Sequence, residues 1–149
     1  MAIYGAGSKI GDPQVEKKEE FFKKSAYWIG WGYADAEDLY SALSSVKVGD
    51  IIYLKSNQPG SRTITVKGIG IVTGSVIQNL FENKTANTAS QNRNLLKINV
   101  AWVYKDEFKI TIHPDDGKLT NIRAATFYEE FLPQVQTEII NKVLGKVKP

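Results

Sequence analysis

Residues 62–73 read Arg62-Thr-Ile-Thr-Val-Lys67-Gly68-Ile-Gly70-Ile-Val-Thr73, and no other stretch of the chain constrains the fold as tightly. β-Branched residues dominate it, and such side chains suit a pleated, half-buried surface. Ile64, Val66, Gly68, Gly70 and Val72 alternate with Thr63, Thr65, Lys67, Ile69 and Ile71. Two glycines in mid-strand predict a sharp bend, a bulge or a close backbone approach, the devices by which small barrels curve. The stretch is therefore expected to be a long strand of a curved sheet.

Working outward, residues 47–50 (KVGD) form a turn that leads into an apolar strand at 51–54. Residues 27–32 (YWIGWG) read as a short buried strand bounded by glycine, after which Asp35 is expected to cap a helix over 36–43. That helix places Leu39, Ala42 and Leu43 on one face. Segment 12–24 (DPQVEKKEEFFKK) opens on Asp-Pro and predicts a charged surface helix. Downstream, 78–94 lacks periodicity and is expected to be a long loop. Strands at 95–104 and 107–113 are expected to pair through a hairpin at Lys105-Asp106, with a turn at 113–117 beyond them. Thr126-Phe-Tyr-Glu129 has capping-box spacing, and Val135, Ile139, Ile140, Val143 and Leu144 form a helical stripe. Pro133 is expected to separate a short turn from the longer terminal helix. The sum is a single α+β domain over 1–149, a small barrel-like mixed sheet of five to six strands flanked by helices.

With 149 residues, 42% of them hydrophobic, the chain can bury an ordinary core without staples. It has no cysteine and one histidine, which excludes disulfides, cysteine-based zinc sites and thiol nucleophiles. No metal and no cofactor are expected. His113 stands among turn formers, and the adjacent Asp115 and Asp116 point apart on any regular backbone, so neither supports an acid/base site. A metal-dependent hydrolase built on Asp50, Asp115 or Asp116 lacks a ligand cluster, and catalysis is not expected. Residues 1–11 hold no signal-like apolar run and no stretch approaches a membrane span, so a cytoplasmic protein is expected. Nineteen Lys+Arg against sixteen Asp+Glu give a net charge of +3, which permits a polyanion partner without demanding one.

The glycine-rich segment Gly5-Ala-Gly-Ser8-Lys9-Ile-Gly11 lacks the context of a dinucleotide fingerprint and the spacing of a P-loop. Gly5, Gly7, Ser8 and Lys9 nonetheless offer donors to an anion or a base edge. Trp28, Trp31 and Tyr33 cluster in sequence, and on a strand Trp28 and Trp31 face opposite ways. With Tyr53, Trp102 and Tyr104 on neighbouring strands they form either an aromatic wall that stacks on bases or the filling of the core. Lys9, Lys55, Arg62, Lys67, Lys84 and Arg93 sit in or beside the flanking loops as candidate phosphate contacts, whereas the mixed run at 16–24 balances its own charge.

The succession GAGSKIG (5–11), EEFFKK (19–24), YWIGWG (27–32), KVGDIIYLKS (47–56) and VKGIGIV (66–72) resembles the PUA-like superfamily. It is most similar to the EVE domain, its YTH relatives and the amino-terminal domains of modification-dependent restriction NTPases. The resemblance covers residues 3–103 and ends on Asn99-Val-Ala-Trp-Val103. It implies a PUA-like barrel that binds DNA or RNA through a modified or flipped base, with an effector protein acting after recognition. By position it implies Trp31 as the first cage tryptophan, residues 53–57 lining the pocket, the 5–9 loop closing it, and Tyr53 or Trp102 in place of a second tryptophan. The expected base site is thus Trp31, Tyr53, Ser56, Ser8 and Trp102, and the expected phosphate contacts are Lys9, Lys55, Arg62, Lys67 and Arg93. The alternative is a protein-interaction or small-ligand domain on the same fold.

Overall fold

The computed structural model describes residues 1–11, 13–30, 35–57, 61–82, 96–114 and 126–147. In chain order the elements are β1 (Ile3–Gly7), β2 (Lys9–Ile10), β3 (Val15–Glu16), α1 (Lys18–Lys24), β4 (Ala26–Trp28), α2 (Glu37–Ser44) and β5 (Ile51–Ser56). They continue with β6 (Thr63–Gly74), α3 (Val76–Glu82), β7 (Lys97–Tyr104), β8 (Phe108–Thr111), β9 (Phe127–Glu129) and α4 (Pro133–Val147). Six strands run in the order β4-β7-β6-β5-β1-β9 as a curled half-barrel, and β8 adds to β6 as a seventh. The pairings are antiparallel except for β1 beside β5, which makes the sheet mixed.

β6 organises this sheet, and its sequence explains how. Lys55 pairs with Val66 but Leu54 pairs with Gly68, so Lys67 is the extra residue of a β-bulge. A bulge shifts the two-residue alternation by one. Ile64 and Val66 before it therefore share a face with Ile69 and Ile71 after it, while Val72 lies on the opposite face. The uniform alternation expected across Lys67 is corrected accordingly. Gly68 and Gly70 serve close approach: a Cβ on Gly68 would lie 2.7 Å from the Phe22 ring, and one on Gly70 would lie 2.9 Å from Trp102. Two elements share the other edge of β6, with β8 on residues 63–66 and β7 on residues 69–74. Among the described residues the expected ladder between the strands around Lys105-Asp106 is not made, because both strands pair with β6 instead.

The two faces carry separate cores. One holds Tyr4, Ala6, Ile52, Leu54, Val72, Ile98 and Val100 under Phe21 of α1, Tyr40 and Leu43 of α2 and Val76 of α3. The other holds Ile3, Ile51, Tyr53, Ile64, Val66 and Ile69 under Val135, Ile139 and Val143 of α4, which is the stripe read from sequence.

The elements depart from the local reading at four places, two of them through strand pairing. Helix α1 begins at Lys18 rather than Asp12, because Lys9–Ile10 and Val15–Glu16 form a two-stranded ladder. Helix α2 has Ala36 at its N-cap, with no side-chain cap from Asp35. Residues 76–82, in large part assigned to a loop, form α3, whose start is fixed by Ser75 Oγ accepting the Gln78 N–H at 3.0 Å. The Thr126-to-Glu129 capping box is instead strand β9, paired with Tyr4–Ala6. Pro133 opens α4, a position where its missing N–H costs nothing. Among the described residues, no helix is long and apolar enough to cross a membrane.

Candidate functional site

Before the bulge, the face of β6 that elsewhere carries the first core becomes polar. Ser56 pairs with Thr65, Thr65 with Lys109, and Thr63 with Thr111, so hydroxyls and one ammonium group line this end of the sheet. The end of β1 approaches the same place, and Gly7, Ser8 and Lys9 close it from one side with Gln14 and Thr126. Together with Lys55, Asn57 and Ser61 these residues enclose a cavity of about 530 Å³. Three lysines line it, and none of its described lining residues is acidic. Its volume is that of a small-ligand site.

Two networks of side-chain contacts fix the walls. Lys67, 7% exposed, directs its ammonium to Glu16 Oε1 at 3.1 Å and to Ser8 Oγ at 3.2 Å. Ser8 Oγ donates in turn to Glu16 Oε2 at 2.7 Å. The bulged residue thereby ties the β2–β3 hairpin and the end of β1 to the central strand. On the other wall, Lys55 Nζ lies 5.2 Å from the Tyr128 ring centroid. Tyr128 shares a 2.8 Å hydroxyl–hydroxyl bond with Tyr53, whose hydroxyl also donates to Glu130 Oε1 at 2.7 Å. Burial, and secondarily the charge of Lys67, lowers the Lys55 pKa to about 8. Burial likewise pushes the Tyr53 phenol well above its ordinary value.

Asn57, at the end of β5, lines the cavity in an unusual state. Its Oδ1 and Nδ2 are both buried, and neither has a hydrogen-bond partner. Native proteins pair nearly all such groups, so this amide in the cavity wall has hydrogen-bonding capacity left for a partner that enters the cavity. A second cavity of about 220 Å³ adjoins the first through Gly7, Lys9, Gln14 and Thr126, and is walled by Ile10, Tyr27 and Gly30.

The structure brings Ser8, Lys9, Lys55 and Ser56 of the expected site into one cavity. Four other expected positions have partners elsewhere in the molecule. Tyr53 is fully buried in the second core and presents no ring face to a base. Trp102 donates its indole N–H to the Phe21 carbonyl at 3.0 Å and packs edge-on against Phe22, so it holds α1 rather than a ligand. Lys67 is committed to Glu16 and Ser8, and Arg62 reaches the His113 carbonyl at 3.4 Å. Trp31 and Arg93 lie outside the described residues. Lys109, Thr63, Thr65 and Gln14 were not singled out from sequence, because only the pairing of β8 with β6 and the β2–β3 hairpin carries them to the cleft.

A larger open groove of about 720 Å³ runs past Tyr4, Ser45, Lys47 and Asp50. Its one aspartate is already used, since Asp50 accepts the N–H groups of Ala2 at 2.9 Å and Lys47 at 2.8 Å. Among the described residues, no group of three His, Asp or Glu side chains is placed to hold a metal ion. No known protein-family model matches the sequence, and no curated protein is significantly similar to it.

Proposed function

We propose that this chain is a nucleic-acid-binding module that takes an unpaired or flipped nucleotide into the cleft between β1, β5 and the first half of β6, with no chemistry of its own. The observation that carries this reading is the lining of the 530 Å³ cavity, in which Lys9, Lys55 and Lys109 stand among hydroxyls and amides with no described carboxylate. Such a surface suits a phosphate with its sugar and a polar base edge, whereas an apolar partner would cover the exposed Lys9 and Lys109 ammonium groups without compensation. Exposed Lys9 and Lys109 supply the counterion-releasing contacts.

The curled mixed sheet and the ordered segments that resemble PUA-like domains support the same reading. The resemblance also carries the finer proposal that the base is methylated, with Trp31 as its stacking partner. In this account Tyr53 and Trp102 contribute to the frame of the site and not to the stack.

Fluorescence anisotropy with single-stranded and duplex oligonucleotides, unmodified or carrying methylated adenine or cytosine, tests it at two salt concentrations. Affinity for the single strand should fall steeply with salt, and Lys109→Ala should lower the salt slope by about one unit. No binding to any oligonucleotide at low salt would reject the reading and favour the protein-interaction class.

A further inference from the structure

Of the described polar side chains lining the cleft, Asn57 alone has both hydrogen-bonding atoms buried and unpartnered. Its amide offers one acceptor, Oδ1, beside donor hydrogens on Nδ2, in a single plane. A backbone phosphodiester cannot satisfy both, because it accepts but has no proton to donate. The edge of a nucleobase can, since an exocyclic amino group stands beside a ring nitrogen or carbonyl acceptor, as in the bidentate pairing of asparagine with adenine. Lys9 and Lys109 line the same cavity and meet the other half of a nucleotide, its phosphate.

We infer that Asn57 is the base-reading residue of the cleft, forming a bidentate hydrogen-bonded pair with the edge of an unpaired base while the lysines hold the backbone. This rests on the proposed nucleotide site and adds the ligand group and the specificity-determining residue. An orphaned buried amide lowers stability, and a ligand that completes its hydrogen bonds removes that penalty on binding. Affinity at this position therefore comes from discrimination between a base and its absence rather than from charge.

The test compares an adenine-containing single strand with the same strand bearing an abasic sugar at the central position, by anisotropy at low salt. The wild type is expected to prefer the base-bearing strand about ten-fold or more. Asn57→Ala should lose most of that preference, keeping only what stacking contributes, and Asn57→Asp, which keeps the shape but loses the donor, should do the same. Neither variant loses a hydrogen bond, so the thermal midpoint of Asn57→Ala should stay equal or rise. Equal, salt-dependent binding of both strands by the wild type would overturn the role of Asn57 and leave the nucleic-acid reading standing. Absence of binding to either strand would overturn both, and a clearly lowered midpoint in Asn57→Ala would show the amide to be structural.

Discussion

Lys67 Nζ lies 3.1 Å from Glu16 Oε1, so the residue that bulges out of the central strand holds the β2–β3 hairpin against the cleft. Glu16 is about one-third exposed, at 32%, while Lys67 is 8% exposed in its side chain. Water therefore screens one partner and not the other. Replacing Lys67 with Met leaves Glu16 and Ser8 without their cation and should cost roughly 1–3 kcal/mol, below the range of a fully buried pair. A urea denaturation series on Lys67→Met, Glu16→Gln and the double variant checks this. The double variant should cost clearly less than the sum of the singles, and strict additivity would show that the two side chains do not interact.

Lys55 gives the protein a pH dependence whose sign follows from its burial. Its ammonium is held down to about 8, against 10.5 for an ordinary lysine. Between those values the unfolded chain binds a proton that the folded chain has released, so stability rises with pH there. Below about 8 both states are protonated and the slope vanishes. The raised phenols of Tyr27 and Tyr53 act in the opposite sense at higher pH, because the unfolded chain then loses its protons first. From pH 8 to roughly 9.5 the wild type should gain stability relative to Lys55→Met. Oligonucleotide affinity should fall over the same interval as the cation is lost. Parallel profiles for the two proteins would refute the assignment.

Gly5 is where β1 makes room for Tyr128. A Cβ at this position would lie 2.8 Å from Tyr128 Cε2, closer than real side chains approach. The ring is anchored by its bond to Tyr53 and buried, so it cannot swing clear cheaply. Gly5→Ala should destabilise by about 2–4 kcal/mol, in the range of overpacked cores. Adding Tyr128→Leu should recover part of that loss, which denaturation of the double variant measures. Full additivity would place the strain elsewhere.

How far the sequence discloses this molecule depends on whether a signal is local or completed at a distance. The apolar run at 51–54 and the stripe from Val135 to Leu144 are local, and both elements form where they read. The bulge was implied by Gly68 and Gly70 but fell on Lys67, because the register with β5 decides it. The Thr126-to-Glu129 motif fits a cap and a strand equally well, and only the free edge of β1 selects the strand. Ser8, Lys9, Lys55 and Ser56 were legible as polar residues beside glycine-rich or β-branched segments. Lys109 and Gln14 were not, since nothing near them in sequence shows which strand they will pair beside. Aromatic residues misled most: Tyr53 and Trp102 carry polar tips that buried partners satisfy, which makes a core ring look like a binding ring.

Tyr53 separates these two readings of the aromatic set. Its hydroxyl joins Tyr128 at 2.8 Å and Glu130 at 2.7 Å, and no part of it is exposed. Tyr53→Phe keeps the ring and its packing but strips one bond from Glu130 and one from Tyr128. Both partners, the Glu130 acceptor and the Tyr128 donor, are buried, so the loss should be about 1–3 kcal/mol by chemical denaturation. Oligonucleotide affinity should change by less than about two-fold, because a core ring contributes no base stacking, which is worth roughly 1–3 kcal/mol per base where it occurs. A ten-fold loss of affinity at unchanged stability would mean that Tyr53 touches the ligand. The same pair of measurements on Trp102→Phe, which loses the indole bond to the Phe21 carbonyl, should show the same division: lower stability through a loosened α1, with binding intact.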